Sequence, residues 1–276
     1  MQLPSKTKIR KLQDTAIDIR INLIKMLAEA GTGHTAGSLG MTDIFTAFYF
    51  HVLKHRPTDP NWSGRDRLIL SNGHICPVRY ASMAQAEYFD TKELLTLRKF
   101  GTRLQGHPEK DKLPGVETTS GPLGCGLGQS AGIALGLKMD KKNNWVYSLT
   151  SDGEHEEGNT WESVMFAAKY KLDNLIQVID RNRIQIGGDT EKVMPLESLS
   201  KKYQAFNWHV QEVDGHNFEQ FIKAIAKAQV IKNKPKVIIA KTVPGKGIPE
   251  IENDYSWHGK TPTKQQAAQF IHHLSK

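Results

Sequence analysis

Residues 145–182 read WVYSLTSDGEHEEGNTWESVMFAAKYKLDNLIQVIDRN, in which two short apolar segments flank a polar loop and a longer amphipathic segment. The spacing of apolar residues predicts a strand over 145–150, a helix over 158–170 and a second strand over 174–180. A strand, a crossover helix and another strand in this order are typical of a parallel βαβ unit. The stretch therefore predicts an α/β fold with loops at the carboxyl edge of a parallel sheet.

The same alternation continues on both sides of this unit. Apolar residues at three- and four-residue steps predict a first helix from about Ile9 to Gly31, and a second apolar segment covers 41–53. Further strands are predicted at 67–70, 208–213 and 236–240, and further helices at 78–88, 196–206 and 218–230. The predicted architecture is a mostly parallel sheet with helices on both faces, in one domain over 1–276.

The composition is typical of an ordinary globular protein, with 38% hydrophobic and 24% charged residues. A net charge of +8 suits an anionic ligand, but the cations are interspersed with apolar residues rather than grouped in blocks. We therefore predict no nucleic-acid partner and no membrane partner. Two cysteines, Cys76 and Cys125, are too few for a disulfide framework, and no signal peptide is visible, so a cytoplasmic location is expected.

Two polar side chains follow the two strands of the 145–182 unit. Asp152 comes directly after the first strand and Asn182 directly after the second. Because neighbouring parallel strands end at the same edge of a sheet, the two loops are expected to lie side by side. A carboxylate, an amide oxygen and a backbone carbonyl are ligands that suit Mg²⁺ or Ca²⁺. Asp152 alone could equally be a helix N-cap, so it is the pair that indicates a metal site.

A glycine-rich stretch, Gly121-Pro-Leu-Gly-Cys-Gly-Leu-Gly128, lies upstream of this unit. Its glycines would let the backbone approach a ligand closely and turn its amides toward phosphate. Residues 126–131 also fit the dinucleotide pattern G-x-G-x-x-A, although no clear strand precedes them, as that motif requires. Two interpretations stay open at this point, a phosphate-binding loop and a structural turn.

The Asp152-Gly153 pair, the intervening helix and Asn182 resemble the fingerprint of thiamine-diphosphate enzymes. The chain is similar to transketolases in particular, over their N-terminal, diphosphate-binding half, from about Ile9 to about Lys260. The matching segments, in order, are Gly33-His34, Asp66-Arg67, Ser71-Asn72-Gly73-His74, Gly106-His107-Pro108-Glu109, the stretch 117–124, the two metal loops, Trp208-His209-Val210, Val213-Asp214-Gly215-His216, Lys241-Thr242 and Trp257-His258-Gly259.

The resemblance implies a role for each of twelve residues. The metal ligands would be Asp152, Asn182 and the backbone carbonyl of Ile184. The residues that contact thiamine diphosphate would be His74, Gly121, Leu123, Gly153 and Ile186, and Glu157 matches a carboxylate that the family buries at its subunit interface. The catalytic histidines would be His34, His107 and His258, which would contact diphosphate or the hydroxyls of the substrate.

Imidazole suits these last positions because it exchanges protons near neutral pH and donates to phosphate when protonated. A histidine in a loop is more often a surface residue, and the remaining seven are predicted to be so: His51, His55, His155, His209, His216, His272 and His273. Three of the positions that depart from the usual pattern of the family are Ser151, where glycine is usual, Thr35 after Gly33-His34, and Cys125, where glutamine is common.

In this family the glutamate that activates the cofactor belongs to a second, pyrimidine-binding domain, and too few residues follow Gly259 for such a domain or for the family's C-terminal one. The resemblance thus implies the N-terminal subunit of a split transketolase of the pentose phosphate pathway, with a C-terminal subunit and two copies of each chain. It would transfer a two-carbon ketol unit from a ketose phosphate to an aldose phosphate. Two alternatives remain open: a subunit similar to 1-deoxyxylulose-5-phosphate synthase, and a non-catalytic cofactor-binding module.

Overall fold

A parallel sheet of five strands forms the centre of the computed structural model, which describes residues 1–275. Its strands are β1 (Arg67–Leu70), β2 (Val146–Ser151), β3 (Leu175–Arg181), β6 (His209–Asp214) and β7 (Lys236–Lys241). They lie in the order β1-β2-β3-β7-β6, and all neighbours are parallel. Directly after β3, the short strands β4 (Ile184–Gln185) and β5 (Gly188–Asp189) form an antiparallel hairpin.

Ten α-helices surround the sheet within the described residues. They are α1 (Lys6–Ala30), α2 (Thr35–Gly40), α3 (Thr42–Ala47), α4 (Cys76–Gln85), α5 (Cys125–Met139), α6 (Gly158–Lys169), α7 (Thr190–Val193), α8 (Leu199–Ala205), α9 (Phe218–Val230) and α10 (Lys264–Leu274). A π-helical turn, Phe48–Val52, continues α3, and 3₁₀ turns cover Gly73–Ile75, Thr91–Thr96, Gly153–Glu156 and Tyr255–Trp257. Within residues 1–275 no helix is long and apolar enough to cross a membrane.

Alternate residues of each strand enter two separate hydrophobic cores, because side chains along a strand point to opposite faces. In β2, for example, Tyr147 and Leu149 belong to the core that also contains residues of α1, α3, α4, α9 and α10, whereas Val146 belongs to the core that contains residues of α5, α6 and α8. Both faces of the sheet are therefore buried under helices, which explains why β3 is buried along its whole length. The predicted α/β architecture, with a parallel sheet and helices on both faces, is confirmed.

Strands β2 and β3 end together, and this brings their loops into contact. Ser151 at the end of β2 is in register with Asp180 in β3, and the backbone N–H of Asp152 donates to the carbonyl of Asp180 at 3.1 Å. Asp152 and Asn182 therefore follow neighbouring strand ends at one edge of the sheet. The side-by-side placement predicted from the sequence is confirmed.

The glycine-rich stretch divides between a turn and a helix. Gly124 has φ +81°, a left-handed conformation that favours glycine, and α5 begins at the next residue. Gly126 lies inside α5, where a Cβ atom would overlap the side chain of Ser71. This glycine is thus needed for the close approach of α5 to the loop after β1.

Candidate active site

A cavity of about 410 Å³ lies at the carboxyl edge of β1, β2 and β3. This is where parallel α/β sheets bind ligands, because loops from adjacent strands diverge there. All twelve residues singled out from the sequence line it: His34, His74, His107, Gly121, Leu123, Asp152, Gly153, Glu157, Asn182, Ile184, Ile186 and His258. The structure thus brings the whole set together, although the role of each residue stays a prediction.

Asp152 and Asn182 form the floor of the cavity with the Ile184 backbone. Asp152 is 1% exposed; its Oδ1 accepts from the backbone N–H of Gly153 at 2.8 Å, and its Oδ2 accepts from that of Arg183 at 2.8 Å. Asn182 accepts through Oδ1 from the N–H of Ile184 at 3.0 Å. Asp152 is also the N-cap of the 3₁₀ turn that follows it, so it serves a structural role as well.

The charge at this floor suits a divalent cation. Asp180 also lines the cavity, and burial, with the Asp152 charge as a further cause, raises the pKa of Asp180 to about 7. Burial also raises the pKa of Asp152, so both carboxyl groups lie in a setting where a cation would relieve their desolvation. Within residues 1–275 no group of three or more His, Cys, Asp or Glu side chains is arranged for a metal. A cation here would therefore use the amide and carbonyl oxygens as well, which the donor set of Asp152, Asn182 and Ile184 provides.

Three of the four predicted site histidines form a cluster across the cavity. The ring centroids of His34 and His74 are 4.9 Å apart, and His258 lies 5.6 Å from His34 and 5.2 Å from His74. Burial, followed by repulsion from His258, Arg98 and His107, lowers the pKa of His34 to about 4. Burial likewise lowers the pKa of His74 well below its usual range, and lowers the pKa of His107 and of His258. These shifts favour the uncharged imidazoles in the protein alone, where each ring presents a single N–H as a donor.

The remaining predicted residues form the walls of the cavity. Ile186, at the tip of the β4–β5 hairpin, is 79% exposed, and Leu123 is also exposed, so both present apolar surface. The N–H of Gly153 donates to Asp152 Oδ1 in this structure. Glu157 is exposed in the single chain. Its burial at a subunit interface stays a prediction.

Sequence reasoning missed Glu154, a carboxylate that connects three loops of the site. Its side chain is fully buried and accepts from the N–H of Gly124 and of Ser151, both at 2.8 Å, and from the hydroxyl of Ser71. Burial raises the pKa of Glu154, whereas these donors lower it. Glu154 therefore holds the loops after β1 and β2 against the start of α5. The only available signal was its place beside Asp152-Gly153, where a charged residue is usually solvated.

Five of the seven histidines predicted to be surface residues are buried or half-buried, namely His51, His55, His155, His209 and His216. His155 is buried, its Nε2 lies 2.8 Å from the Tyr203 hydroxyl, and burial lowers the pKa of His155 to about 4. His216 is half-buried between Asp43 and the backbone of Val243, and His55 is half-buried against Tyr49 and Tyr88. Contacts with segments distant in sequence explain the burial of His155, which Tyr203 covers, and of His216, which Asp43 covers.

The three departures from the family pattern are accommodated locally. The N–H of Ser151 donates to Glu154 at 2.8 Å, and Ser151 is not among the residues with positive φ, so this position does not require the backbone freedom of glycine. Thr35 is buried and donates to the carbonyl of Lys260 at 2.6 Å. Cys125 is the first residue of α5 and is partly exposed.

The fold and the cavity define a cofactor-binding α/β domain whose loops suit a diphosphate and a divalent cation. Comparison with known families agrees, because the model described as "Transketolase, thiamine diphosphate binding domain" matches residues 12–274. The chain therefore belongs to the transketolase family and corresponds to its N-terminal, thiamine-diphosphate-binding domain.

Similar proteins fall into two groups by length. The chain is 38% identical over 265 residues to the 6-deoxy-6-sulfo-D-fructose transketolase subunit SqwG of Clostridium sp. (strain MSTE9), covering 96% of each protein. It is 38% identical over 258 residues to an apulose-4-phosphate transketolase subunit of Phocaeicola vulgatus, covering 93% of this chain and 91% of that protein. Transketolase from Leishmania mexicana superposes with a TM-score of 0.91 at 30% identity over the whole chain, which spans 42% of that protein.

Proposed function

We propose that this chain is the diphosphate- and metal-binding subunit of a two-chain transketolase. In this proposal residues 1–276 form a single diphosphate-binding domain, and a separate C-terminal subunit provides the pyrimidine-binding domain with the activating glutamate. The observation that carries the proposal is the one cavity lined by all twelve residues, with Asp152 and Asn182 at neighbouring strand ends. The two relatives of nearly equal length are both named as subunits, which supports the division into two chains.

Each part of the cavity would bind one part of the cofactor. Asp152, Asn182 and the carbonyl of Ile184 would hold Mg²⁺, and the cation would neutralise the diphosphate, which Gly121, Gly153 and the neutral His74 would contact. Leu123 and Ile186 would pack against the rings of the cofactor. When bound, thiamine diphosphate supplies the carbon nucleophile and the electron sink needed to break a carbon–carbon bond of the ketose.

His34, His107 and His258 would act on the sugar. As neutral imidazoles they would each accept a proton from a hydroxyl group, and the imidazolium formed in this way would return a proton to a carbonyl oxygen, the exchanges that ketol transfer needs. The Nδ1 atom of His34 is buried and has no hydrogen-bond partner within the described residues, so this atom is free for a ligand. These features favour transfer of a two-carbon unit between sugars over the two alternatives, a subunit similar to 1-deoxyxylulose-5-phosphate synthase and a non-catalytic cofactor-binding module.

The donor sugar has two candidates. A phosphorylated ketose of the pentose phosphate pathway, such as xylulose 5-phosphate, is the primary candidate because it is the expectation drawn from transketolases in general. A second candidate is a sulfonated or branched ketose, because the two similar subunits are named for 6-deoxy-6-sulfo-D-fructose and apulose 4-phosphate. These donors share a terminal anion, which the separate C-terminal subunit would contact in part.

Reconstitution tests both parts. The chain, a C-terminal subunit, and both together are assayed with thiamine diphosphate, Mg²⁺, ribose 5-phosphate and one donor at a time: xylulose 5-phosphate, 6-deoxy-6-sulfo-D-fructose or apulose 4-phosphate. We expect product only from the mixture, and none from a mixture containing Asp152→Ala. Substantial activity of the chain alone would refute the two-chain proposal, and the donor with the highest kcat/KM decides between the candidate substrates.

A further inference from the structure

Arg181, the last residue of β3, contacts Asp152 in the predicted metal site. The sequence did not suggest this contact. Its side chain is 4% exposed, and Nη1 donates to Asp152 Oδ2 at 2.8 Å and to the Thr190 hydroxyl at 2.8 Å. Nη2 donates to Glu191 at 2.6 Å and to Glu197 at 2.9 Å, and Nε donates to Glu197 at 3.3 Å. All five N–H groups of the guanidinium are thus engaged, which orients the side chain fully.

The contact leaves Asp152 with one oxygen for a cation. Oδ2 accepts from Arg181 and from the backbone N–H of Arg183, which uses both of its lone-pair directions. Oδ1 accepts only from the N–H of Gly153 within residues 1–275, so one direction remains on that atom. Asp152 lines the cavity and could therefore coordinate a cation through Oδ1 alone. Arg181 fixes this orientation from behind.

The same guanidinium holds the segment that follows the β4–β5 hairpin. Glu191 accepts from Arg181 and also from the backbone N–H groups of Leu196 at 3.2 Å and Glu197 at 3.3 Å. The hairpin between Arg181 and this segment carries Ile184 and Ile186, two of the predicted site residues. One side chain thus links the carboxylate at the end of β2 to both ends of the hairpin region.

We propose that Arg181 is a positioning residue for the cation site, which it serves by orienting Asp152 as a monodentate ligand and by anchoring residues 188–197 to it. This inference rests on the proposed function. Lysine should replace arginine only in part here, because an ammonium has three donors and no planar fork for four partners. The guanidinium also offsets the charge of Asp152, Glu191 and Glu197, so its loss would leave a buried carboxylate unpaired.

The test compares Arg181→Met and Arg181→Lys with Arg183→Met in the chain mixed with its C-terminal subunit. Arg183→Met is a matched control: it removes one cation from the same loop, its side chain is exposed, and the backbone N–H that binds Asp152 remains. Mg²⁺ is titrated by calorimetry at fixed thiamine diphosphate. We expect Arg181→Met to weaken the apparent affinity for Mg²⁺ by about 10- to 100-fold, as for loss of a buried charged hydrogen bond. Arg181→Lys should give an intermediate loss, and Arg183→Met should stay within about threefold of wild type.

Trypsin cleavage after the exposed Lys192 provides a readout that does not depend on the cofactor. Both Arg181 variants should be cut there faster than wild type and than Arg183→Met, because residues 188–197 lose their anchor. If Arg181→Met does not fold, the affinity and cleavage of Arg181→Lys decide. If the folded Arg181 variants keep wild-type Mg²⁺ affinity and wild-type cleavage, the positioning role of Arg181 is refuted. That result would leave the proposed function intact. A wild-type complex that binds no cofactor in the presence of Mg²⁺ would instead overturn the proposed function, and the inference with it.

Discussion

Replacing Glu154 by glutamine should destabilise the protein far more than its sequence context suggests. The carboxylate accepts from two backbone N–H groups and from the hydroxyls of Ser71 and Ser151. A carboxamide keeps one accepting oxygen but turns an NH₂ group toward the other two donors. One backbone N–H then loses its acceptor and the neighbouring hydroxyl must turn to accept, so two of the four original bonds are lost. With about 1.5 kcal/mol for each bond to a charged acceptor, the free energy of unfolding should fall by about 3 kcal/mol.

Chemical and thermal unfolding would measure this effect. For a chain of 276 residues the entropy of unfolding is about 0.6 kcal/mol/K, so Glu154→Gln should lower Tm by about 5 °C. The control is Glu156→Gln, two positions away, where the carboxylate is exposed and accepts from Gln185. That variant should lie within about 0.5 kcal/mol of wild type. Equal stabilities of the two variants, with equal urea m-values, would show that Glu154 does not hold the three loops together.

Three further outcomes are expected. Asp152→Ala and Asn182→Ala should each abolish Mg²⁺-dependent binding of thiamine diphosphate while the chain stays folded; calorimetry with wild-type affinity in either variant would contradict their role as ligands. His107→Ala and His258→Ala should lower kcat in the reconstituted complex with little change in Mg²⁺ affinity, and unchanged turnover in both would assign them no part in catalysis. The pKa of His34 is lowered to about 4 by burial, so the folded chain binds fewer protons there than the unfolded chain between pH 4 and 6.5. The stability that His34 contributes should therefore be lost as pH falls through this window. His34→Asn should reduce the difference between the urea midpoints at pH 7 and pH 5. An unchanged difference would contradict the lowered pKa of His34.

The sequence predicted the sheet and the proximity of Asp152 to Asn182 because both follow from local rules. Apolar segments of strand length alternate with helical periodicity, and parallel strands end at a common edge, so the spacing of Asp152 and Asn182 sufficed to place them together. The β4–β5 hairpin escaped prediction because its strands have only two residues each.

Residues that depend on contacts distant in the chain could not be predicted. Gly126 was ambiguous because its small size is required by Ser71, which lies 55 residues away, and not by a local turn. Glu154 and His155 occupy a polar turn that would be solvated in isolation, yet α5 and Tyr203 cover them. Arg181 carries no local signal either. Its partners Thr190, Glu191 and Glu197 become its neighbours only when the chain after the hairpin returns to β3.

The neutral histidine cluster has a consequence for the thermodynamics of ligand capture. An anion that binds between His34, His74 and His258 would stabilise the protonated form of each ring. It would therefore raise the pKa of each of them. Protons would then be drawn from the solvent as the ligand binds, and affinity for an anion would increase as the solution becomes more acidic. The heat of binding would accordingly differ between buffers of different ionisation enthalpy. Binding of a diphosphate at this site would therefore consume protons, because burial favours the uncharged form of these imidazoles before the anion binds.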